Sequence, residues 1–150
     1  MATNQILVPL DGSPLAEIAI PEARQLAKAL DSKVVLLQVV ASVEEVIESG
    51  TMRIAVDEIW SSQRDAALRY LHGLQTREFA GLRTEVMVEQ GSPAETILDV
   101  ARTRNVDRIV MATHGRTGMT RWVFGSVAEK VLRAADRVVV LVRAPWSGNE

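Results

Sequence analysis

The sequence predicts an α/β fold, a doubly wound five-stranded parallel sheet with helices on both faces. Three observations predict it. Short apolar runs of strand length alternate along the chain with longer stretches that carry apolar residues at helical spacing. The connections between them are short, so consecutive strands run parallel through right-handed crossovers. Most of the apolar runs lack polar alternation, the pattern of strands covered on both sides. Five such strands suit the order 3-2-1-4-5, in which ligands bind beyond the carboxyl ends of the strands where the order reverses.

Gln5 to Leu10 (QILVPL) is the first strand, with Pro9 tolerated near its end, where a missing ladder donor costs least. Ser13 and Pro14 read as an N-cap and a first helical residue. Ala16, Ala19, Ile20, Ala23, Leu26, Ala27 and Leu30 then form one apolar stripe, and Pro21 within it predicts a kink. Lys33 to Val40 (KVVLLQVV) is a nearly all-apolar, central second strand. From Ala41 to Val56, Glu44, Glu45 and Glu48 crowd around Ser49-Gly50-Thr51, which predicts a mobile, partly helical excursion. Asp57 to Phe79 is a long helix with Ile59, Ala67, Leu71 and Leu74 on one face, and Trp60 and Tyr70 belong to its packing rather than to a ligand stack. Leu82 to Glu89 alternates in polarity and reads as an edge strand. Ser92-Pro93-Ala94-Glu95 is a capping box opening a helix that buries Ile97, Leu98 and Ala101.

The stretch from Asp107 to Arg133 carries the densest chemistry. Its apolar run Ile109 to Ala112 is a strand, and the loop after it holds Gly115, Gly118 and Gly125 with Arg116 and Arg121. Ser126 with Glu129 three residues on forms a second capping box, and Val127, Val131 and Leu132 follow at helical spacing. A strand, a basic glycine-bearing loop and a helix N-terminus can cradle a phosphate, because first-turn N–H groups lack internal partners and the dipole favours an anion. The same residues can also form a plain turn and cap. What favours the cradle is topology: in the order 3-2-1-4-5 the loop at Asp11 and the loop after Ala112 meet at the switch point. Arg137 to Arg143 (RVVVLVR) is the last strand, and 144–150 is a tail.

Composition narrows the function. The 150 residues suit one domain, and 47% hydrophobic with 24% charged residues is ordinary globular content. A formal charge of −2 gives no basic surplus for nucleic acid. Cysteine is absent, and the two histidines, His72 and His114, are too few for a histidine metal cluster. No apolar stretch is long enough to span a membrane and the N-terminus lacks the pattern of a signal peptide, so a cytoplasmic protein is expected. There is no Gly-Lys-Ser/Thr P-loop, no GxGxxG after the first strand and no nucleophile elbow. His114 has no evident nucleophile to serve.

ILVPLDGS at the start, VVLLQVV in the second strand, and IVMATHGRTGMTRWVFGSVAEKVLR followed by VVVLVR together resemble the universal stress proteins of the UspA superfamily, over essentially the whole chain. That resemblance implies one domain with a Rossmann-like fold of the adenine nucleotide alpha hydrolase type. The family's ATP-binding pattern is glycine, two residues, glycine, nine residues, then glycine and serine or threonine. The matching positions here are Ala112, Gly115, Gly125 and Ser126. By this resemblance Asp11 contacts the nucleoside end, Pro9 and Val39 wall the adenine, and Met111 and Ala112 run beside the ribose. Gly115 and Arg116 face the phosphates, with Gly125, Ser126 and Val127 donating to them. The implied cofactor is ATP with Mg²⁺ or Mn²⁺ held mainly by its phosphates, and the implied role is a stress-response or signalling module, not an enzyme beyond slow ATP hydrolysis. Alanine in place of the first glycine leaves open a second reading, a nucleotide-free dimer working through protein contacts alone.

The last strand predicts a homodimer. Val138 to Val142 are five consecutive apolar residues on a strand that the order places at a sheet edge, where unpaired N–H and C=O groups invite pairing. The resemblance implies the same edge-to-edge dimer.

Overall fold

A computed structural model describes residues 4–41, 54–113 and 125–143, with side chains from residue 57 onward in the second of these segments. Its elements in chain order are β1 (Gln5–Leu10), α1 (Pro14–Glu17), α2 (Ile20–Leu30), β2 (Lys33–Val40), α3 (Ile54–Glu78), β3 (Thr84–Gln90), α4 (Pro93–Thr103), β4 (Arg108–Thr113), α5 (Ser126–Ala134) and β5 (Val138–Arg143). The five strands form one sheet in the order β3-β2-β1-β4-β5, with every neighbouring pair parallel. This is the predicted topology.

The sheet is covered on both faces. Val8, Leu10, Val34, Leu36 and Val110 share one cluster with Ala23 and Ala27 of α2, and with Leu71 and Leu74 of α3. Leu7, Val35, Leu37, Ile109 and Met111 share the other with Ala94 and Ile97 of α4, and with Ala128 and Val131 of α5. The unalternated runs of β1 and β2 are therefore buried on both sides, Ile6 to Val8 and Val34 to Leu37 having no exposed surface. Tyr70 packs against the first cluster and donates to Glu17 Oε2 at 2.7 Å. It is a structural residue, as its spacing suggests.

Several expectations are corrected. The helix after Ser13 breaks rather than kinks: α1 ends at Glu17, and α2 begins at Ile20 with Pro21 in its first turn. Pro21 has no N–H to donate to the carbonyl of Glu17. The chain tightens before it, Ile18 N and Ala19 N reaching back three residues to the carbonyls of Leu15 and Ala16. Leu30 of the apolar stripe and Leu132 of the spaced set are 36% and 46% exposed, each in the last turn of its helix. The excursion expected over 41–56 lies largely outside the described residues, but Ile54 already belongs to α3, which therefore starts before Asp57. β3 is an edge strand as predicted, yet neither of its faces is bare: Val86 and Val88 pack on one core cluster and Met87 on the other.

Polar ties lock the edges to the layers. Glu85 of β3 accepts from Lys33 Nζ at 2.7 Å and from Arg104 at the end of α4. Arg137, ahead of β5, donates from Nη1 to the carbonyls of Ala101 and Val106, each at 2.8 Å. At the loop between β1 and α1, Gly12 adopts φ +87, a conformation that side-chain-bearing residues rarely take.

Candidate functional site

At the carboxyl ends of β1, β2 and β4, the strand order reverses and a cavity of ≈ 240 Å³ opens. Its floor and apolar wall come from the strands: Pro9 and Leu10 close β1, Leu37 and Val39 lie in the second half of β2, and Met111 lies on β4. Leu15 and Ala16 of α1 and Pro93 and Ile97 of α4 close its sides. Gly125, Ser126, Val127 and Ala128, at the start of α5, complete the lining together with Asp11 and Ser13 of the loop after β1. A mostly apolar lining with a few polar groups suits an amphipathic ligand of small-molecule size.

The Asp11 end is built by local sequence. Asp11 Oδ1 accepts from Ser13 N at 2.9 Å and from Ser13 Oγ at 2.6 Å, while Ser13 Oγ accepts from Ala16 N at 3.2 Å. Ser13 thus caps α1, as predicted, and also fixes the carboxylate beside it. Asp11 Oδ2 has no hydrogen-bond partner among the described residues, so one oxygen of an oriented carboxylate is left to accept from ligand hydroxyls.

The helix end differs from the expected capping box. Gly125 is the N-cap, at φ −62 and ψ 148, and Ser126 is the first helical residue, with no side-chain cap bond. Glu129 N donates to the carbonyl of Gly125 at 2.9 Å, and the Glu129 carboxylate turns to Arg133, 2.8 Å away. With no side chain spent on them, the first-turn N–H groups of α5 remain donors for something else. At α4, Ser92 is the N-cap with Pro93 beyond it, but its side chain makes no cap bond either.

Every expected site residue that the structure describes, namely Pro9, Asp11, Val39, Met111, Ala112, Gly125, Ser126 and Val127, lines this one cavity. Gly115 and Arg116 lie outside the described residues. Ala112 sits in strand backbone, registered against Val142, and is not among the residues at positive φ. Its side chain packs against the cluster that holds Val8 and Val110. No glycine conformation is needed at that position.

Sequence reasoning missed Thr113, which lines the cavity and is 2% exposed, with no hydrogen-bond partner for Oγ1 among the described residues. Strand alternation was the signal available: Ile109 and Met111 belong to the cluster on the cavity side, and Thr113 continues that series. Pro93 and Ile97 were missed because nothing in the sequence shows how far α4 leans over β2. Among the described residues no group of three or more His, Cys, Asp or Glu could hold a metal, and no helix is long and apolar enough to cross a membrane.

Comparison with known proteins gives a consistent result. A model of the universal stress protein family matches residues 3–143. Universal stress protein MJ0531 of Methanocaldococcus jannaschii is 30% identical over 144 residues, covering 95% of this chain and 83% of that protein. The solved structure of MJ0577, a universal stress protein of the same organism, has a TM-score of 0.80 at 26% identity, covering 98% of this chain and 100% of its own. A universal stress protein of Archaeoglobus fulgidus, solved in complex with dAMP, shares the fold alone, at 17% identity and a TM-score of 0.61 over 93% of this chain and 97% of its own.

Proposed function

The chain belongs to the universal stress protein family, and from that premise we propose that it binds an adenine nucleotide, ATP, and signals through occupancy of that site as a homodimer. One observation carries the reading: the oriented Asp11 carboxylate and the N-terminus of α5, with no side-chain cap bond, line the same largely apolar cavity. An adenine would lie against Pro9 and Val39, its ribose hydroxyls donating to Asp11, and its phosphates would accept from the N–H groups that follow Gly125. Asp11 is the one carboxylate among the described lining residues, so a Mg²⁺ or Mn²⁺ ion would rest mainly on phosphate oxygens.

The nucleotide-free alternative drew its motive from Ala112. Its extended backbone answers the conformational part of the objection to a nucleotide, since no positive φ is needed there, and its methyl group, which lines the cavity, is the part that nucleotide titration tests. We read the site as a binding module, with at most slow hydrolysis of ATP. We assign it to the cytoplasm in the same spirit, as a setting that supplies ATP.

Calorimetry on protein stripped of bound ligand tests the proposal. ATP with Mg²⁺ should give saturable heat and a concentration-dependent rise in melting temperature. No heat and no thermal shift at millimolar ATP would remove the nucleotide and leave the nucleotide-free dimer.

A further inference from the structure

We propose that a second groove, on the face of the sheet opposite the first cavity, is a binding site for a small organic ammonium ion. The end of β2 has two sides. Leu37 and Val39 line the first cavity, whereas Gln38 and Val40 continue the alternation of Val34 and Leu36 on the face covered by α2 and α3. There they line a groove of ≈ 390 Å³ with Gly12 and with Gln63, Ala66 and Tyr70 of α3. The inference does not depend on what the first cavity binds.

Two glutamines give the groove its chemistry. Oε1 of Gln38 and Oε1 of Gln63 are both inaccessible and both without a hydrogen-bond partner among the described residues. A carbonyl oxygen buried without a partner costs about five-fold or more in the folding equilibrium, and an apolar side chain of similar size avoids that cost. The end torsion of a glutamine is soft and two-fold, so half a turn exchanges oxygen for nitrogen and lets either face the groove. The surrounding field decides which. Burial first, then the hydrogen bond to Glu17 and the charges of Glu17 and Asp11, push the Tyr70 hydroxyl well above its ordinary value, with Arg77 opposing. The groove is thus bordered by two carboxylates, and none of its described lining residues carries a charge. Two carboxamide oxygens in a negative field suit a ligand that is positive and rich in N–H donors, and an ammonium has three. Val40 and Ala66 offer its alkyl chain an apolar surface, and Tyr70, held to Glu17 Oε2 at 2.7 Å, is a fixed wall beside them.

Heteronuclear NMR of the full chain, with n-butylammonium, n-butanol and butyrate as probes, tests this, because the side-chain amides of Gln38 and Gln63 give signals of their own. n-Butylammonium should shift both side-chain signals and the Gly12 backbone signal saturably, while the neutral and anionic probes should not. Gln38→Leu and Gln63→Leu should each weaken binding about five-fold or more and melt no lower than the parent without ligand. Gln63→Glu should tighten it by about three-fold or more, since the donor then meets a charged acceptor. An equal response to n-butanol would make the groove merely apolar and overturn the assignment. Absence of any saturable shift would overturn it, as would affinity unchanged in both leucine variants. Shifts confined to the exposed acidic residues of α3, Asp57, Glu58 and Asp65, would be general ion screening and count against it equally. A lower melting temperature of the ligand-free leucine variants would show that the oxygens already have a structural partner, which also defeats the proposal.

Discussion

At the scale of single residues, the site depends on backbone conformation more than on residue type. Ala112 departs from the family's glycine, yet it lies in extended strand and packs against the core cluster beside the cavity. Ala112→Gly should therefore leave ATP affinity within about two-fold of the parent and cost about 0.5–1 kcal/mol of stability through lost backbone restraint, read by calorimetry and urea unfolding. Gly125 is the reverse case. Its φ of −62 is open to any residue, so backbone strain gives no reason for glycine there. What remains is space, because Gly125 lines the cavity. Gly125→Val should keep the fold and nearly abolish ATP binding; a variant that binds like the parent would put the phosphates elsewhere. Ser126 shows where sequence alone misleads. A Ser-x-x-Glu spacing suggests a capping box, but the N-cap is one residue earlier and Glu129 turns to Arg133 instead. Without a cap bond to lose, Ser126→Ala should change stability by less than about 0.5 kcal/mol in the same unfolding measurement.

At the scale of elements, two polar ties hold the sheet edges to the layers, and they predict different signatures. Arg137 has a side chain only 15% exposed and bridges two carbonyls at the end of α4 and the turn beyond it. Arg137→Ala should cost about 2 kcal/mol in urea unfolding, and lysine should restore only part of it because it lacks the forked donor set. Glu85 is held below its ordinary value near 4.5, first by the hydrogen bond from Arg104, then by that from Lys33. A lowered carboxylate pKa stabilises the fold fully above the unfolded value and ceases to do so as pH falls through the folded one. The stability difference between the parent and Glu85→Gln should accordingly be steady near neutrality and close as pH drops below about 4.5. The strands were legible in the sequence because β1, β2 and β4 are apolar without alternation, which only a two-sided core rewards. The break before Pro21 was not. A stripe of small apolar residues continues through it, and only the missing N–H, weighed against the two turns on either side, decides between bend and break. The cavity was legible where residues end strands or begin α5. It was hidden where it depends on tertiary approach, as with Pro93 and Ile97, or where a residue such as Thr113 looks like ordinary strand.

At the scale of the whole molecule, β5 poses the remaining question of what covers its free edge. Among the described residues it pairs with β4 alone, and Val138 is 54% exposed while Val139 to Val142 are only half-buried. The opposite edge is treated differently. β3 carries Glu85 and Glu89, and Glu85 is engaged by Lys33 and Arg104. One edge of the sheet thus carries charge and the other carries an apolar run with unpaired N–H and C=O groups, an arrangement that invites another strand. A second copy of β5 about a two-fold axis supplies a partner of matching length and chemistry, and it closes the assembly rather than propagating it. Val138→Lys tests this without disturbing the fold, since a side chain already half in water can carry a charge outward, whereas two such charges brought together across an interface repel. Light scattering at tens of micromolar should give a dimer for the parent and a monomer for Val138→Lys, with unchanged far-ultraviolet circular dichroism. A parent protein that is monomeric under these conditions would leave the β5 edge without its partner and refute the arrangement.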